Sequence, residues 1–237
     1  MKIAVLFDGA GLARLGLEQA GHECHGFELD PWKHHLSLKV GSGSCTLADV
    51  RGIDLTPFDA VWASPPCQFH SVARTQGAPI GKYSEDLLAW ALSLSKDILW
   101  VENVLSPSTK GLGDKYNAAQ FLEIPIQNRN RIVGGRYIPP KVYHPYRRAF
   151  PGVCPCITAS EHAGCASDTR RASRFYGRRI SPEESAYHQG FEIPASWWDI
   201  PNSWNGTAIQ WRNNIYEAIG NGVPVYMARA FGESYEH

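Results

Sequence analysis

Ser64-Pro65-Pro66-Cys67-Gln68 follows a short apolar run, Asp59-Ala60-Val61-Trp62-Ala63, that reads as a buried strand. Proline fixes φ and removes an amide donor, so two of them hold the next residue rigidly. Open α/β sheets bind ligands at the carboxyl ends of their strands, which makes Cys67 a candidate nucleophile. Taken alone, the dipeptide also allows a tight turn around a buried thiol. Three features nearer the N-terminus suit a nucleoside. Gly9-Ala10-Gly11 is a turn that lets a ligand approach backbone amides at a helix start. Glu28 ends the second apolar run, where a carboxylate accepts from ribose hydroxyls, and Asp49 follows the third, placed to accept from an adenine amine. Each also reads as an ordinary turn or helix cap. In this order they favour an adenosine-containing cofactor, and the incomplete glycine pattern favours one without a pyrophosphate.

These residues need a sheet to carry them. Ile3–Phe7 reads as a strand, Leu12–Gly21 as a helix, Glu23–Leu29 as a strand and Trp32–Val40 as a helix opened by Asp30-Pro31. A weak third strand ends near Asp49 and a fourth at Ala63. Ser84 is positioned to cap a helix running to about Lys96, and Ile98–Val101 is a fifth strand with Glu102-Asn103 at its carboxyl end. Strands alternating with helices predict a mostly parallel, doubly wound α/β sheet. From about residue 127 the chain becomes rich in Gly, Pro, Arg and aromatics with little periodicity, which predicts a small irregular lobe. Pro182–His188 and Val223–Phe231 read as helices. The expected organisation is therefore an α/β domain over 1–126, a basic irregular insert over 127–179, and a segment over 180–237 that returns to the first domain.

The net charge is zero, but residues 127–179 hold eleven Lys/Arg against two acids, Glu161 and Asp168. Such a block suits a polyanion, and Arg170, Arg171, Arg174 and Arg178 with Phe175 and Tyr176 offer phosphate contacts and stacking rings. A solvated arginine-rich loop is the alternative. Six cysteines without regular spacing do not make a disulfide framework. Cys154, Cys156, His162 and Cys165 leave a zinc site open, against a compact cysteine-rich loop. The first apolar run is too short for a signal peptide or a membrane span, so a reducing, cytoplasmic setting is expected.

Phe7-x-Gly9-x-Gly11, Glu28, Asp49, Pro65-Pro66-Cys67-Gln68, Glu102-Asn103-Val104, Gln127-x-Arg129-x-Arg131 and Gly220-Asn221-x-Val223 occur in the order of the motifs of the C5-cytosine DNA methyltransferases, and the chain resembles that family. The stretch from Arg179 through Ser181, Glu184, Ala186 and Gln189-Gly190-Phe191 resembles its penultimate motif. The resemblance implies a Rossmann-like methyltransferase fold that uses S-adenosylmethionine. It implies that Cys67 attacks cytosine C6, that Glu102 holds N3 and the exocyclic amine, and that Arg129 and Arg131 orient the base, with Arg129 on O2. Phe7, Gly9, Gly11, Glu28, Asp49, Pro65, Asn221 and Val223 would line the cofactor pocket, while Gln68, Ser71 and Gln127 would join the arginine cluster in contacting double-stranded DNA. A base inside a duplex is out of reach, so base flipping is expected.

The chain departs from the pattern at Asp8, where a small residue is usual, at Leu12 in place of the third glycine, at Ser64 in place of a glycine, and at His70 in place of a phenylalanine. His70 is either a contact to the flipped nucleotide's phosphate or an ordinary loop histidine. Only about 22 residues, 132–153, separate the arginine motif from Pro155-Cys156-Ile157-Thr158, too few for the family's target-recognition domain. Recognition is then short or loose, or supplied by a partner or by self-association. Restriction-modification and phage self-marking are both compatible roles. The alternatives are the same chemistry on RNA, a modified sulfonium donor, and a non-catalytic nucleic-acid-binding paralogue.

Overall fold

Side-chain alternation along the strands organises the architecture. The computed structural model describes residues 1–67, 86–158 and 180–235. Strand β1 (Lys2–Leu6) buries Ile3 and Val5 on one face and Ala4 and Leu6 on the other. A strand apolar on both faces needs helices on both sides. Helix α1 (Leu12–Gln19) and a C-terminal helix, Val225–Glu233, set Leu17, Met227 and Phe231 against Ile3, Val5, Trp62 and Trp100 on one face. On the other, Leu88 and Ala91 of a short helix, Leu87–Leu92, meet Ala4, Leu6, Val61 and Val101.

Strands β2 (Glu23–Glu28), β3 (Cys45–Leu47), β4 (Ala60–Ala63), β5 (Ile98–Val104), β6 (Asp114–Asn117) and β7 (Asn130–Arg136) complete a seven-stranded sheet ordered β3-β2-β1-β4-β5-β7-β6. β1 to β5 pair in parallel, and β7 runs antiparallel to both its neighbours. The chain winds one way from β1 to β3 and the other from β4 onward, so the crevice lies between β1 and β4. Leu6 pairs with Ala63 there, which brings the turns after the two strands side by side.

Helix α2 (Pro31–Ser37) packs with two later helices, Pro182–Gln189 and Ala208–Asn221, in a third cluster around Trp197 and Trp211. The indole of Trp197 donates to the Leu36 carbonyl at 3.0 Å and that of Trp211 to the Trp197 carbonyl at 2.8 Å. In chain order the helices are α1, α2, α3 (Leu87–Leu92), α4 (Pro182–Gln189), α5 (Ala208–Asn221) and α6 (Val225–Glu233). No helix among the described residues is long and apolar enough to cross a membrane.

The structure differs from the sequence reading in four places. α3 is capped by Asp86, whose carboxylate accepts from Leu88 and Ala89, and it ends at Leu92 well short of Lys96; Ser84 lies outside the described residues. β5 runs on to Val104, so Glu102 and Asn103 are inside the strand. β6 and β7 are additional strands, and β7 comes from the stretch expected to be irregular, where a hydrogen-bonding partner on either side fixes it despite Gly134 and Gly135. α5 is an additional helix of 14 residues, begun by a reciprocal capping box between Thr207 and Gln210.

Leu12 is buried, and its side chain occupies space that Gly222 leaves free. A Cβ on residue 222 would sit 2.5 Å from Leu12 Cδ1. Gly222→Ala is therefore expected to destabilise the fold by about 1–3 kcal/mol through overpacking. Thermal melts of Gly222→Ala, Leu12→Ala and the double variant should show the double losing less than the two singles together.

Candidate active site

The register of the sheet brings a carboxylate and a guanidinium together. Glu102 in β5 lies opposite Val133 in β7, and Arg131 is two residues from Val133 on the same face. Such diagonal neighbours are about 7–8 Å apart at the backbone, within reach of two long side chains. Arg131 Nε lies 2.7 Å from Glu102 Oε1, and both side chains are nearly buried. A buried ion pair contributes little net stability, so its value is in fixing where two polar groups point.

β4 delivers the thiol to the same sheet edge. Asn103 is buried beside Glu102, and its amide donates to the Pro65 carbonyl at 3.0 Å, tying the Pro-Pro-Cys turn to β5. The sequence reading gave Asn103 no role, although it sits in the Glu102-Asn103-Val104 motif. Ser64, another departure from the family, accepts from the Trp62 indole at 2.9 Å. Cys67 is half-buried, and burial pushes its thiol up from the ordinary value; the Arg131 charge opposes that and the Glu102 charge adds to it. Cys67, Glu102 and Arg131 thus form one electrostatic unit.

The Arg129 charge also opposes the rise of the Cys67 thiol, while its guanidinium is bonded elsewhere. Arg129 is 1% exposed, and its guanidinium donates to the carbonyls of Ile157 at 2.6 Å, Gly220 at 2.8 Å and Gly222 at 2.9 Å, with Cys156 Sγ at 3.4 Å. Its Nε is buried and has no hydrogen-bond partner among the described residues. Gln127 is fully buried as well. It donates to the His188 carbonyl and to Gln189 and accepts from the Ile157 amide. Cys156 is a free thiol, and no metal-ligand cluster occurs among the described residues. Gln68, His70, Ser71, His162, Cys165, Arg170, Arg171, Arg174 and Arg178 lie outside those residues.

The crevice beside β1 holds the expected nucleoside-binding residues. Phe7 has φ of 59°, a left-handed conformation that costs a bulky residue about 1–3 kcal/mol and is typical of a functional turn. Gly9, at φ 60°, has open space where a Cβ would stand, its nearest neighbour being the Phe7 carbonyl at 4.0 Å. The Gly9 amide donates to Glu28 Oε2 at 2.8 Å and the Asp30 amide to Oε1 at 2.8 Å, so the buried Glu28 carboxylate is aimed by the turn. An open cradle with a fixed carboxylate at its edge fits a ribose-bearing ligand. Asp49 is tied to Arg51 through both carboxylate oxygens and has its pKa lowered to about 2, so an adenine amine would share or displace that guanidinium. Pro65 is buried in its turn, Asn221 is exposed at the end of α5, and Val223 is packed in the core.

Asp8 turns away from this cradle. Its Oδ2 accepts from Arg14 Nε at 3.2 Å and from Ser37 at 2.5 Å, and Arg14, fully buried, also reaches Glu18, Ser42 and the Ser37 carbonyl. Gly11 at φ 84° completes the turn above this network.

Residues 1–105 match the model of the C-5 cytosine-specific DNA methylase family. No curated protein sequence matches the chain. The fold is shared with a Dnmt2 methyltransferase of S. pombe at 14% identity and TM-score 0.55, over 97% of this chain and 96% of that one. It is also shared with the methyltransferase EhMeth of Entamoeba histolytica at 13% identity and TM-score 0.57, over 97% and 96%. A putative DNA modification methyltransferase encoded within an E. coli prophage gives 15% identity and TM-score 0.57, over 99% and 98%. The architecture is the S-adenosylmethionine-dependent methyltransferase fold.

Two outcomes follow from this geometry. Arg129→Lys keeps a charge but strands most of the carbonyls now bonded, which should lower stability by about 2–4 kcal/mol in a thermal melt. Iodoacetamide modification of Cys67, read by peptide mass spectrometry, should rise with pH along a curve displaced above that of a free thiol, whose pKa is about 8.5. Cys24 and Cys45, pushed up to about 12, should react more slowly still. Arg131→Gln removes the charge favouring thiolate and should move the Cys67 curve higher.

Proposed function

We propose that this chain, with a C-5 cytosine-specific DNA methylase domain over residues 1–105, transfers a methyl group from S-adenosylmethionine to C5 of cytosine in DNA. The observation that carries the reading is the buried Arg131–Glu102 pair set at the mouth of a thiol whose ionisation both groups bias.

Cytosine C5 is a weak nucleophile until something adds to C6. Cys67, as thiolate, forms a bond to C6, and the ring's electron pair moves toward C5. Glu102, carrying a proton, donates to N3 and accepts from the exocyclic amine, so negative charge does not build on the ring. In that protonated form it no longer opposes ionisation of Cys67. The positive charge of Arg131 is then left to favour the thiolate, so base engagement and nucleophile activation are coupled. Arg131, held at 2.8 Å on the Asn130 carbonyl, keeps its remaining donors for the oxygen edge of the base. The bound donor supplies an electrophilic methyl group for C5. The C5 proton then passes to water, its bonding pair re-forms the C5–C6 double bond, and the Cys67–C6 bond breaks with its pair returning to sulfur as thiolate.

Phe7, the Gly9–Gly11 turn, Glu28 and Asp49 would hold the donor, with the Glu28 carboxylate on the ribose hydroxyls. Of Asp8 and Leu12, which opened the question of a modified sulfonium donor, Leu12 packs against Gly222 and Asp8 Oδ2 is held by Arg14 and Ser37, while Asp8 Oδ1 is buried with no partner among the described residues. Ordinary S-adenosylmethionine is the reading the cradle supports. Base flipping follows from the depth of the thiol, since a paired cytosine does not reach a half-buried side chain.

The test is a covalent trap. DNA containing 5-fluorocytosine, with S-adenosylmethionine, should give a stable protein–DNA adduct at Cys67, because fluorine cannot leave as a proton does. Cys67→Ala should abolish the adduct and Glu102→Gln should slow its formation by about 10²–10⁴-fold. An adduct that persists in Cys67→Ala would sink the assignment, and a fluorocytidine RNA that traps while DNA does not would reassign the substrate.

A further inference from the structure

Glu28 is gripped from two sides, and those two sides are joined to each other behind it. The Gly9 amide holds Oε2 and the Asp30 amide holds Oε1, each at 2.8 Å. Asp30 caps α2, its carboxylate accepting from the Trp32 amide, and Ser37 is the last residue of that short helix. The Ser37 hydroxyl donates to Asp8 Oδ2, and Asp8 directly precedes Gly9 in the chain. Asp8, Gly9, Glu28, Asp30, α2 and Ser37 therefore close a circuit of contacts around one wall of the cradle. Arg14 of α1 braces the junction. Its Nε donates to Asp8 Oδ2 at 3.2 Å, and its Nη2 donates to the Ser37 hydroxyl at 3.0 Å and carbonyl at 2.8 Å. Gly11 lies on the same junction, since a Cβ there would stand 2.7 Å from Arg14 Nη2 and 3.2 Å from Ser37 Oγ. β2 makes room for it as well: a Cβ on Gly26 would lie 2.3 Å from Asp8 Oδ2.

This junction is a poor investment in stability. Asp8 is 5% exposed and Arg14 wholly buried, and Asp8 Oδ1 is enclosed with no hydrogen-bond partner among the described residues. A buried carboxylate with one bare oxygen is costly, and apolar packing in place of a buried ion pair is often at least as stable. What the junction supplies is geometry. Oδ2 is the one atom that receives both Ser37 and Arg14, so it is the shared anchor of the turn after β1 and the end of α2. We propose that Asp8 is a positioning residue for the methyl donor: without touching the ligand, it locks the circuit that aims Glu28 and thereby sets the affinity for S-adenosylmethionine. The identity of that donor rests on the methyl-transfer reading above. A pocket already held in its bound shape loses less freedom on binding, so rigidity at Asp8 becomes affinity at Glu28. The coupling runs through α2, which is held by Ser37 at one end and presents the Asp30 amide at the other.

Two measurements on the full-length protein test this: calorimetric titration with S-adenosylmethionine, and hydrogen–deuterium exchange of the unliganded protein read by mass spectrometry. Asp8→Ala should raise the Kd by about tenfold. Asp8→Asn keeps one acceptor oxygen for Ser37 and Arg14 and should bring the Kd back to within about threefold of wild type. Ser37→Ala opens the same circuit, so its effect and that of Asp8→Ala should not add in the double variant. In Asp8→Ala, exchange should quicken both over residues 7–12 and, across the circuit, over residues 28–38, while α6 exchanges as in wild type. A wild-type Kd in Asp8→Ala, additive effects in the double variant, or faster exchange confined to 7–12 overturns the proposal. Faster exchange in α6 as well overturns it too, because the loss is then one of the whole fold. Exchange is read without donor, so a wild type that fails to bind S-adenosylmethionine while Asp8→Ala still loosens both segments rejects the donor reading alone.

Discussion

Arg129 is the interaction on which the rest of the site depends. Its guanidinium bonds to carbonyls at Ile157 and at Gly220 and Gly222, two places far apart in the chain, and sits at the foot of β7. Burying a guanidinium is expensive unless its donors are satisfied, and desolvation does lower its pKa. The carbonyls offset that cost because the end of α5 and the loop at 154–158 present them in a ring around it. Gln127 and Gln189 extend the clasp, Gln189 donating to Ile219 and Gly222. The start of β7 is thereby immobilised, and Arg131, two residues on, meets Glu102 at 2.7 Å without freedom to search for it.

The parallel sheet was legible in the sequence, because strand and helix signals alternate through β1 to β5. Cys67, Glu102 and Arg131 were legible because each has few structural reasons to stand where it does: a thiol after two prolines, an acid and a cation at apolar strand ends. Arg129 was not separable from Arg131, since two arginines two residues apart read alike whether one faces carbonyls and the other a carboxylate. Only the partner segments decide, and they lie far away in sequence. β7 was hidden for a related reason. Asn-Arg-Ile-Val-Gly-Gly-Arg has weak strand propensity, and its extended form is imposed by β5 and β6 on its two sides. α5 was obscured by Asn213 and Asn214 in its middle, although Thr207 with Gln210 carries the start signal.

The departures from the family pattern fall into compensated pairs. Leu12 fills space opposite Gly222, and Ser64 takes the Trp62 indole proton. Asp8 is the most demanding, a buried acid whose pKa is raised by desolvation and held down by Arg14 and Ser37. Arg14 spreads its charge over Asp8, Glu18, Ser37 and Ser42, so the acid under the glycine turn becomes part of a brace between α1, α2 and the loop before β3. An unfamiliar residue near a ligand site therefore does not by itself announce an unfamiliar ligand. Its internal partners have to be accounted for first.

Burial divides the arginines of this chain into different instruments. Arg14 and Arg129 are wholly enclosed and act as cross-links, although Arg129 Nε has no hydrogen-bond partner among the described residues. Arg131 is nearly enclosed but paired with a single carboxylate, so a polar base edge can compete for it. Arg147 and Arg148 keep their side chains in water and give only their carbonyls to the fold. That gradient runs outward from the core to the sheet edge where Cys67 stands. Because the buried guanidiniums already hold the backbone, the exposed ones need contribute nothing to stability.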